Sequence, residues 1–299
     1  MTMSQSDIIA NHRLMRQAAW ASVSVATILI GIKFVAWNLT GSASLLASLV
    51  DSMMDLAASA INFMAIRYSL KRADYDHRFG HGKAESLAGL VQASFIAGSA
   101  VFLLVYTGNR LLNPQPLANI DTGLAVMLSS LLLTVILVGF QRHVVRRTGS
   151  LAIKADSLHY LTDILTILVT IAALFLSRMG LLWADPLLAL GIALYVLYSA
   201  GRIVREAVRH LMDHELASEI KGEIREVALR DPRVLGIHDL RTRQSGQTKI
   251  IQFHLDLTAE LPLHQAHSIG KEIEKNLENC FPGADITIHH DPTAPHSLT

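Results

Sequence analysis

The sequence predicts an all-α bundle of six transmembrane helices followed by a small α+β domain, and three observations carry that reading. Of 299 residues, 51% are hydrophobic and only 17% are charged, with a positive mean hydropathy, an apolar share above that of ordinary soluble domains. Apolar runs long enough to cross a bilayer fill the first two-thirds of the chain. From about His210 the sequence turns charged, His-rich and strand-like, which divides it into a membrane domain at residues 1–209 and a second domain at 210–299.

The six spans follow in order, each near the ~20 residues that cross ~30 Å of hydrocarbon. They are expected over Met15–Asn38, Ser44–Ser69, Ala84–Leu112, Thr122–Gln141, Ser150–Ser177 and Asp185–Val204. Gly and Pro break the helices at polar links such as Asn38-Leu-Thr-Gly-Ser42 and Asn113-Pro-Gln-Pro116. The fifth span is interrupted by Asp156, His159 and Asp163. A polar start through Arg16, followed by a run long enough to span, does not fit a removable signal peptide.

Basic residues orient the bundle. One side holds Arg13 and Arg16, then Arg67, Lys71, Arg72, Arg78 and Lys83, then Arg142, Arg146, Arg147 and Lys154, then Arg202, Arg205 and Arg209. The other side holds Arg110 and Arg178. Both termini are therefore expected in the cytoplasm, and the second domain with them.

That domain reads as a helix over Ala217–Ala228, a strand from Val234 to about Gln244, a turn at Ser245-Gly246 and a strand over Lys249–Leu257. The second strand alternates, with Ile251, Phe253, Leu255 and Leu257 on one face and Gln252, His254 and Asp256 on the other. A helix over Leu263–Cys280 and a strand over Asp285–His289 complete a three-stranded sheet covered by helices. A domain of this size is marginal alone, and pairing with a second copy would bury more of it.

Two short stretches in the apolar sequence organise the chain. Asp51 and Asp55, and again His159 and Asp163, stand four residues apart, so each pair shares one helix face with Cβ atoms roughly 5–6 Å apart. Opposed, the two faces make a four-ligand cage. An Asp at the centre of a span costs about 2.5–3.5 kcal/mol on insertion scales, and such residues mark ion or proton paths. The bland reading pairs the two aspartates with Lys33 or with buried backbone donors.

The loop after the second span offers Asp74, His77 and His81 at spacings of three and four, a set that could gather one divalent ion or simply be polar loop. Nine of the fourteen histidines lie in the tail. His214, His264 and His296 read as ordinary surface residues. His238, His254, His267, His289, His290 and Asp291 fall at strand ends or on the adjoining helix, a donor set suited to a regulatory metal site that Asp291 could bridge. The lone Cys280 excludes a disulfide framework and a cysteine-based zinc site. A net charge of +1, with no basic stripe, argues against nucleic-acid binding.

The sequence resembles the cation diffusion facilitators, and among them the bacterial ferrous-iron and zinc efflux pumps. The residues that carry the likeness are Gly41-Ser-Ala-Ser-Leu-Leu-Ala47, Asp51 with Asp55, Phe79-Gly-His-Gly-Lys-Ala-Glu85, Ala155-Asp-Ser-Leu-His-Tyr160 with Asp163, His238-Asp-Leu-Arg-Thr-Arg243 and Ile288-His-His-Asp-Pro292. They span nearly the whole chain in order.

The resemblance implies a homodimer in the bacterial inner membrane, each protomer with six spans and a cytoplasmic metallochaperone-like domain. It implies that Asp51, Asp55, His159 and Asp163 form the transport site, and Asp74, His77 and His81 a loop site. It assigns His238, His254 and Asp291 to one tail ion and His267, His289 and the shared Asp291 to a second. His290 stands where these pumps usually carry Gln. Lys83 and Asp213 match a salt-bridge position near the membrane–cytosol junction, and Leu158 an apolar gate.

The chemistry of the central set agrees with those implications. Three carboxylates and an imidazole suit Zn²⁺, Cd²⁺, Fe²⁺ or Co²⁺, and without a thiolate they release the ion more readily. Protons compete for the same donors, which predicts outward metal transport by proton antiport. A passive divalent-cation channel or importer would use the same ligands. An intramembrane metalloprotease would need a His-Glu-x-x-His helix, and the sequence has none.

Overall fold

The computed structural model describes residues 5–40, 43–112, 123–178 and 184–293. The expected link Asn113-Pro-Gln-Pro116 lies outside the described residues, as does His296. The chain forms two compact units, Arg13–Val208 and Arg209–Thr299, with the residues up to His12 grouping with the second.

The first unit is helical: α1 (Gln5–Thr40), α2 (Ala43–Ser69), α3 (Lys83–Leu112), α4 (Gly123–Thr148), α5 (Leu151–Arg178) and α6 (Ala184–Leu211). Several run past the expected spans, α1 starting at Gln5, α4 continuing to Thr148 and α6 to Leu211. An apolar run measures only the part of a helix that needs lipid, while the polar turns beyond it remain helical in water. Among the described residues, five of the six are long and apolar enough to cross a membrane.

The exception is α5, whose described part carries Lys154, Asp156 and Asp163. Its surroundings explain the composition. From Leu151 to Leu158 only Lys154 is not buried, so this end of α5 is solvated by protein instead of lipid. On one side it packs against Ala93, Ile96 and Ala100 of α3 and Val196, Ala200 and Ile203 of α6. On others Ala152 and Ile153 meet Met15 and Ala18 of α1, Ile66 of α2 and Val144 of α4. Alanine recurs at these contacts because helices in lipid associate by close backbone approach, not by hydrophobic exclusion.

Local chemistry fixes where α5 begins. Gly149 takes φ +64°, its N–H reaching Val145 O at 2.8 Å to close α4. Ser150 then accepts from Ile153 N, and Glu85 of α3 accepts from Leu151 N at 2.8 Å. Two residues therefore join α4 to α5, with the first turn tied to α3.

The second unit holds α7 (Ser218–Leu229), β1 (Gly236–Ser245), β2 (Thr248–Thr258), α8 (Leu263–Cys280) and β3 (Asp285–Thr293). The sheet order is β1-β2-β3, antiparallel and then parallel, with α8 as the crossover. Ile251, Phe253, Leu255 and Leu257 form its buried face against Ile224, Ile269, Ile273 and Leu277, as the alternation predicts. The last strand runs to Thr293, past the expected end at His289, because its pairing with β2 continues through Thr258.

His290 belongs to that helix-covered face, following Ile286 and Ile288 at spacings of two. Its ring lies over Gly270 of α8, where an added Cβ would stand 2.1 Å from Nε2. Gly270→Ala is expected to cost about 1–3 kcal/mol by overpacking, read by thermal unfolding. In a His290→Ala background the same change becomes neutral or stabilising by up to about 1 kcal/mol through helix propensity. A wild-type background indifferent to Gly270→Ala would mean that the ring is not held there.

Candidate metal centre

The face predicted on α2 meets the face predicted on α5. His159 Nε2 lies 2.9 Å from Asp55 Oδ1, and Asp163, one turn along α5, brings a third ligand atom within 4.8 Å of both. The neighbouring pair supports this alignment: Tyr160 and Ser59, one residue and one turn beyond, share a hydrogen bond at 2.8 Å. Tyr160 also donates to Ser22 O of α1 at 3.4 Å.

Asp51 does not join this group. It lines the same cavity, about 550 Å³, as Asp55 and Asp163, but falls outside the three residues whose ligand atoms gather. The expected four-ligand cage is thus a gathered trio with a fourth carboxylate on the cavity wall. Helical spacing puts Asp51 and Asp55 on one stripe, yet a full turn separates them along the axis, and α5 meets α2 at the Asp55 level. Lys33 of α1 reaches the stripe beside Asp51, donating to Ser52 Oγ at 2.6 Å and Ser48 O at 3.2 Å.

One turn before His159, Asp156 is 1% exposed and serves as a polar node. Its Oδ2 accepts from Ser22 Oγ at 2.5 Å and Gln141 Nε2 at 2.6 Å, and its Oδ1 from Gln92 Nε2 at 2.9 Å. Four helices, α1, α3, α4 and α5, converge on this carboxylate. The sequence flags Asp156 only as an interruption, since hydrogen-bond partners far apart along the chain leave no periodic signal. Leu158, the residue at the implied gate, is buried among α3 and α6 side chains.

The loop between α2 and α3 gathers Asp74, His77 and His81 as the spacing suggests, their ligand atoms within 4.8 Å. Asp74 Oδ1 accepts from His77 N at 2.9 Å, and Oδ2 accepts from Lys71 at 2.9 Å and lies 3.4 Å from His81 Nε2. His81 is buried while His77 is exposed. The Lys71 ammonium, together with the His77 N–H, holds the Asp74 carboxyl well below the usual range.

In the tail, strand register aligns His238, His254 and His289 in one row across the sheet, with Asp256 and Asp291 in the next row on the same face. Asp291 is the hub, its Oδ2 lying 2.8 Å from His254 Nδ1 and 3.2 Å from His238 Nε2, and its Oδ1 3.1 Å from His289 Nε2. The hydrogen bond from His254 outweighs the slight burial and, with the three imidazoles around it, holds the Asp291 carboxyl below its ordinary value. Two further carboxylates border the group. Asp256 lies 3.1 Å from His238 Nδ1, and Asp239, at φ 47° where the β1 register shifts, lies 3.8 Å from His254 Nε2.

His238, His254 and Asp291 gather within 4.8 Å. His267, expected to join His289 and Asp291 at a second ion, is exposed on α8 and outside that group. His290 points to the opposite face of the sheet. Burial, with His267 and His289 alongside, pushes its imidazole below the ordinary value. Its Nε2 is buried without a hydrogen-bond partner among the described residues. Asp213, at φ 54°, accepts from Arg243 at 2.9 Å.

Residues 19–212 match the model of the cation efflux transmembrane domain, and residues 216–293 that of the cation efflux protein cytoplasmic domain. The chain is 51% identical over 282 residues to the cation-efflux pump FieF of Yersinia enterocolitica, covering 94% of each. It is 49% identical over 280 residues to FieF of an Escherichia coli O139:H28 strain, covering 94% of this chain and 93% of the relative. A solved chain from work on the proposed zinc transporter CzrB aligns at 34% identity over 26% of this chain and 99% of its own, with a TM-score of 0.26.

Proposed function

The chain belongs to the cation efflux family, multi-pass membrane proteins that export metal cations, and on that premise we propose that it carries Zn²⁺, with Fe²⁺ and Cd²⁺ as related substrates, outward in exchange for protons. The observation that carries this reading is the convergence of Asp55, His159 and Asp163 on one point between α2 and α5, beside a cavity that Asp51 also lines. Oxygen and nitrogen donors at this number suit a tetrahedral divalent ion, and Asp51 or water completes the shell. No thiolate is present to hold the ion tightly, as a carrier that must release its cargo requires.

Coupling follows from competition. Carboxylates and imidazole bind metal only when deprotonated, so each ion bound releases protons and each proton bound weakens the grip on metal. A site opened alternately to the cytoplasm and to the outside then exchanges one for the other. The basic residues that flank the spans support cytoplasmic termini in a bacterial inner membrane. Purified protein in sealed liposomes is expected to move Zn²⁺ faster under an imposed pH gradient and to move protons in the opposite direction. Flux that ignores the gradient would make the protein a passive channel.

The tail sites support a second part of the proposal, regulation of a homodimer by cytosolic metal. Asp291 and its three imidazoles offer a built donor set on the sheet face turned away from the core. With bound Zn²⁺ the full-length dimer is expected to tighten, measured by sedimentation in detergent. The His254→Ala, His289→Ala double variant is expected to lose that response. A variant whose dimer still tightens with metal would rule the tail out as the sensor. The loop trio Asp74, His77 and His81 is proposed as a third divalent site.

A further inference from the structure

We propose that Lys33 is the built-in counter-cation of the transport cavity: its ammonium repels the cargo ion and keeps affinity low enough for release. Lys33 lines the same cavity as Asp51, Asp55 and Asp163. Its perch is on α2, where Nζ donates to Ser52 Oγ at 2.6 Å and to Ser48 O at 3.2 Å.

The spacing is informative. Ser48, Asp51, Ser52 and Asp55 occupy positions i, i+3, i+4 and i+7 of α2, a single stripe on which the ammonium's acceptors alternate with the carboxylates. Tying α1 to α2 requires no charge, since a neutral donor would serve the same hydroxyl and carbonyl. An ammonium in a membrane span is costly to insert and seldom retained for packing. Beside three carboxylates in a cavity of low dielectric, it offsets part of their negative potential. A divalent ion feels that offset twice over.

The perch sets how strongly the charge acts. Held by Ser52 and Ser48, the ammonium stays at the wall near Asp51, outside the Asp55, His159 and Asp163 trio. Released from Ser52, it would reach toward the carboxylates and compete with the ion more directly. Loss of the charge and loss of the perch should therefore move affinity in opposite directions. A plain helix tie predicts the same direction for both.

This inference rests on the transport-site reading, and the experiment separates the two. Zn²⁺ dependence of flux is measured in proteoliposomes at one fixed pH gradient, with gel-filtration elution as the check on folding. Lys33→Met is expected to lower KM by roughly threefold or more and to reduce the maximal rate, because release slows. Lys33→Arg is expected to keep KM near wild type, and Ser52→Ala to raise it. An unchanged or raised KM in folded Lys33→Met overturns the proposal, as does a Lys33→Arg that behaves like Lys33→Met. Should Lys33→Met fail to fold, Ser52→Ala decides: a raised KM supports the counter-cation, and an unchanged or lowered one overturns it. His159→Ala is run alongside. If it abolishes flux while Lys33→Met leaves KM flat, only the role of Lys33 falls; if it transports normally, both readings fall.

Discussion

If the proposed transport site is right, Asp55→Ala and His159→Ala are each expected to reduce gradient-driven Zn²⁺ flux by about 100-fold or more, since losing even an outer-shell partner of a metal ligand costs roughly 10–100-fold. The two side chains stand 2.9 Å apart and supply two of the three atoms that converge between α2 and α5. Removing either leaves too few donors to replace the hydration shell of a divalent ion. Asp51→Ala is expected to be milder, about tenfold on the same scale, because Asp51 lies on the cavity wall outside the converging trio. The check is initial rate against Zn²⁺ concentration in proteoliposomes for all three variants. If Asp51→Ala were the most damaging and His159→Ala near wild type, the ion would be held elsewhere along the α2 stripe.

Asp156→Ala is expected to destabilise the membrane unit by about 1–3 kcal/mol, since it strips the buried Gln92 donor of its acceptor and leaves Ser22 with Ala18 O and Gln141 with Ser22 Oγ alone. Such donors find no water within a bundle, and three of the four helices involved lose their common anchor. Asp156→Asn retains a carbonyl acceptor and is expected to lose roughly half as much. Thermal unfolding in detergent, followed by circular dichroism, reads both. A melting temperature in Asp156→Ala equal to that of wild type would show that the helices are held by packing alone. The residue sits three positions before His159, so a loosened node is also expected to blur the geometry of the trio.

Much of this was legible in the sequence, for reasons that differ by element. The six helices and the tail sheet follow from hydropathy and from strict alternation in β2. The trio is legible because His159 and Asp163 stand four apart on one face of α5, and Asp55 comes from the equally spaced pair on α2. The same argument places Asp51 in that cage. Spacing along one helix, however, does not say at what height its partner crosses. Asp156 illustrates a second limit: its partners lie 134, 64 and 15 residues away, and nothing local announces them.

The tail shows both outcomes together. The row of His238, His254 and His289 depends on strand register, which the alternation of β2 already suggests. The family likeness sets His267 with His289 and Asp291 at a second ion; His267 is exposed on α8 and, like His289, is not among the three tail residues whose ligand atoms gather. The charged residues at the start of α5 are also visible in the sequence, while what surrounds them is not. Hydropathy measures suitability for lipid, and the first turns of α5 are enclosed by other helices.

Adjacent imidazoles on β3 serve opposite sides of one sheet: His289 faces Asp291 and His254, and His290 rests on Gly270. Since side chains alternate strictly along a strand, sliding β3 by a single position against β2 would exchange their fates, pressing His289 and Asp291 into the apolar interior and turning His290 outward. The pairing of β3 with β2, held by Ile286 and Ile288 against the core, therefore acts as a reading frame for the tail. Such a slip would dismantle the proposed metal cluster without altering a single donor.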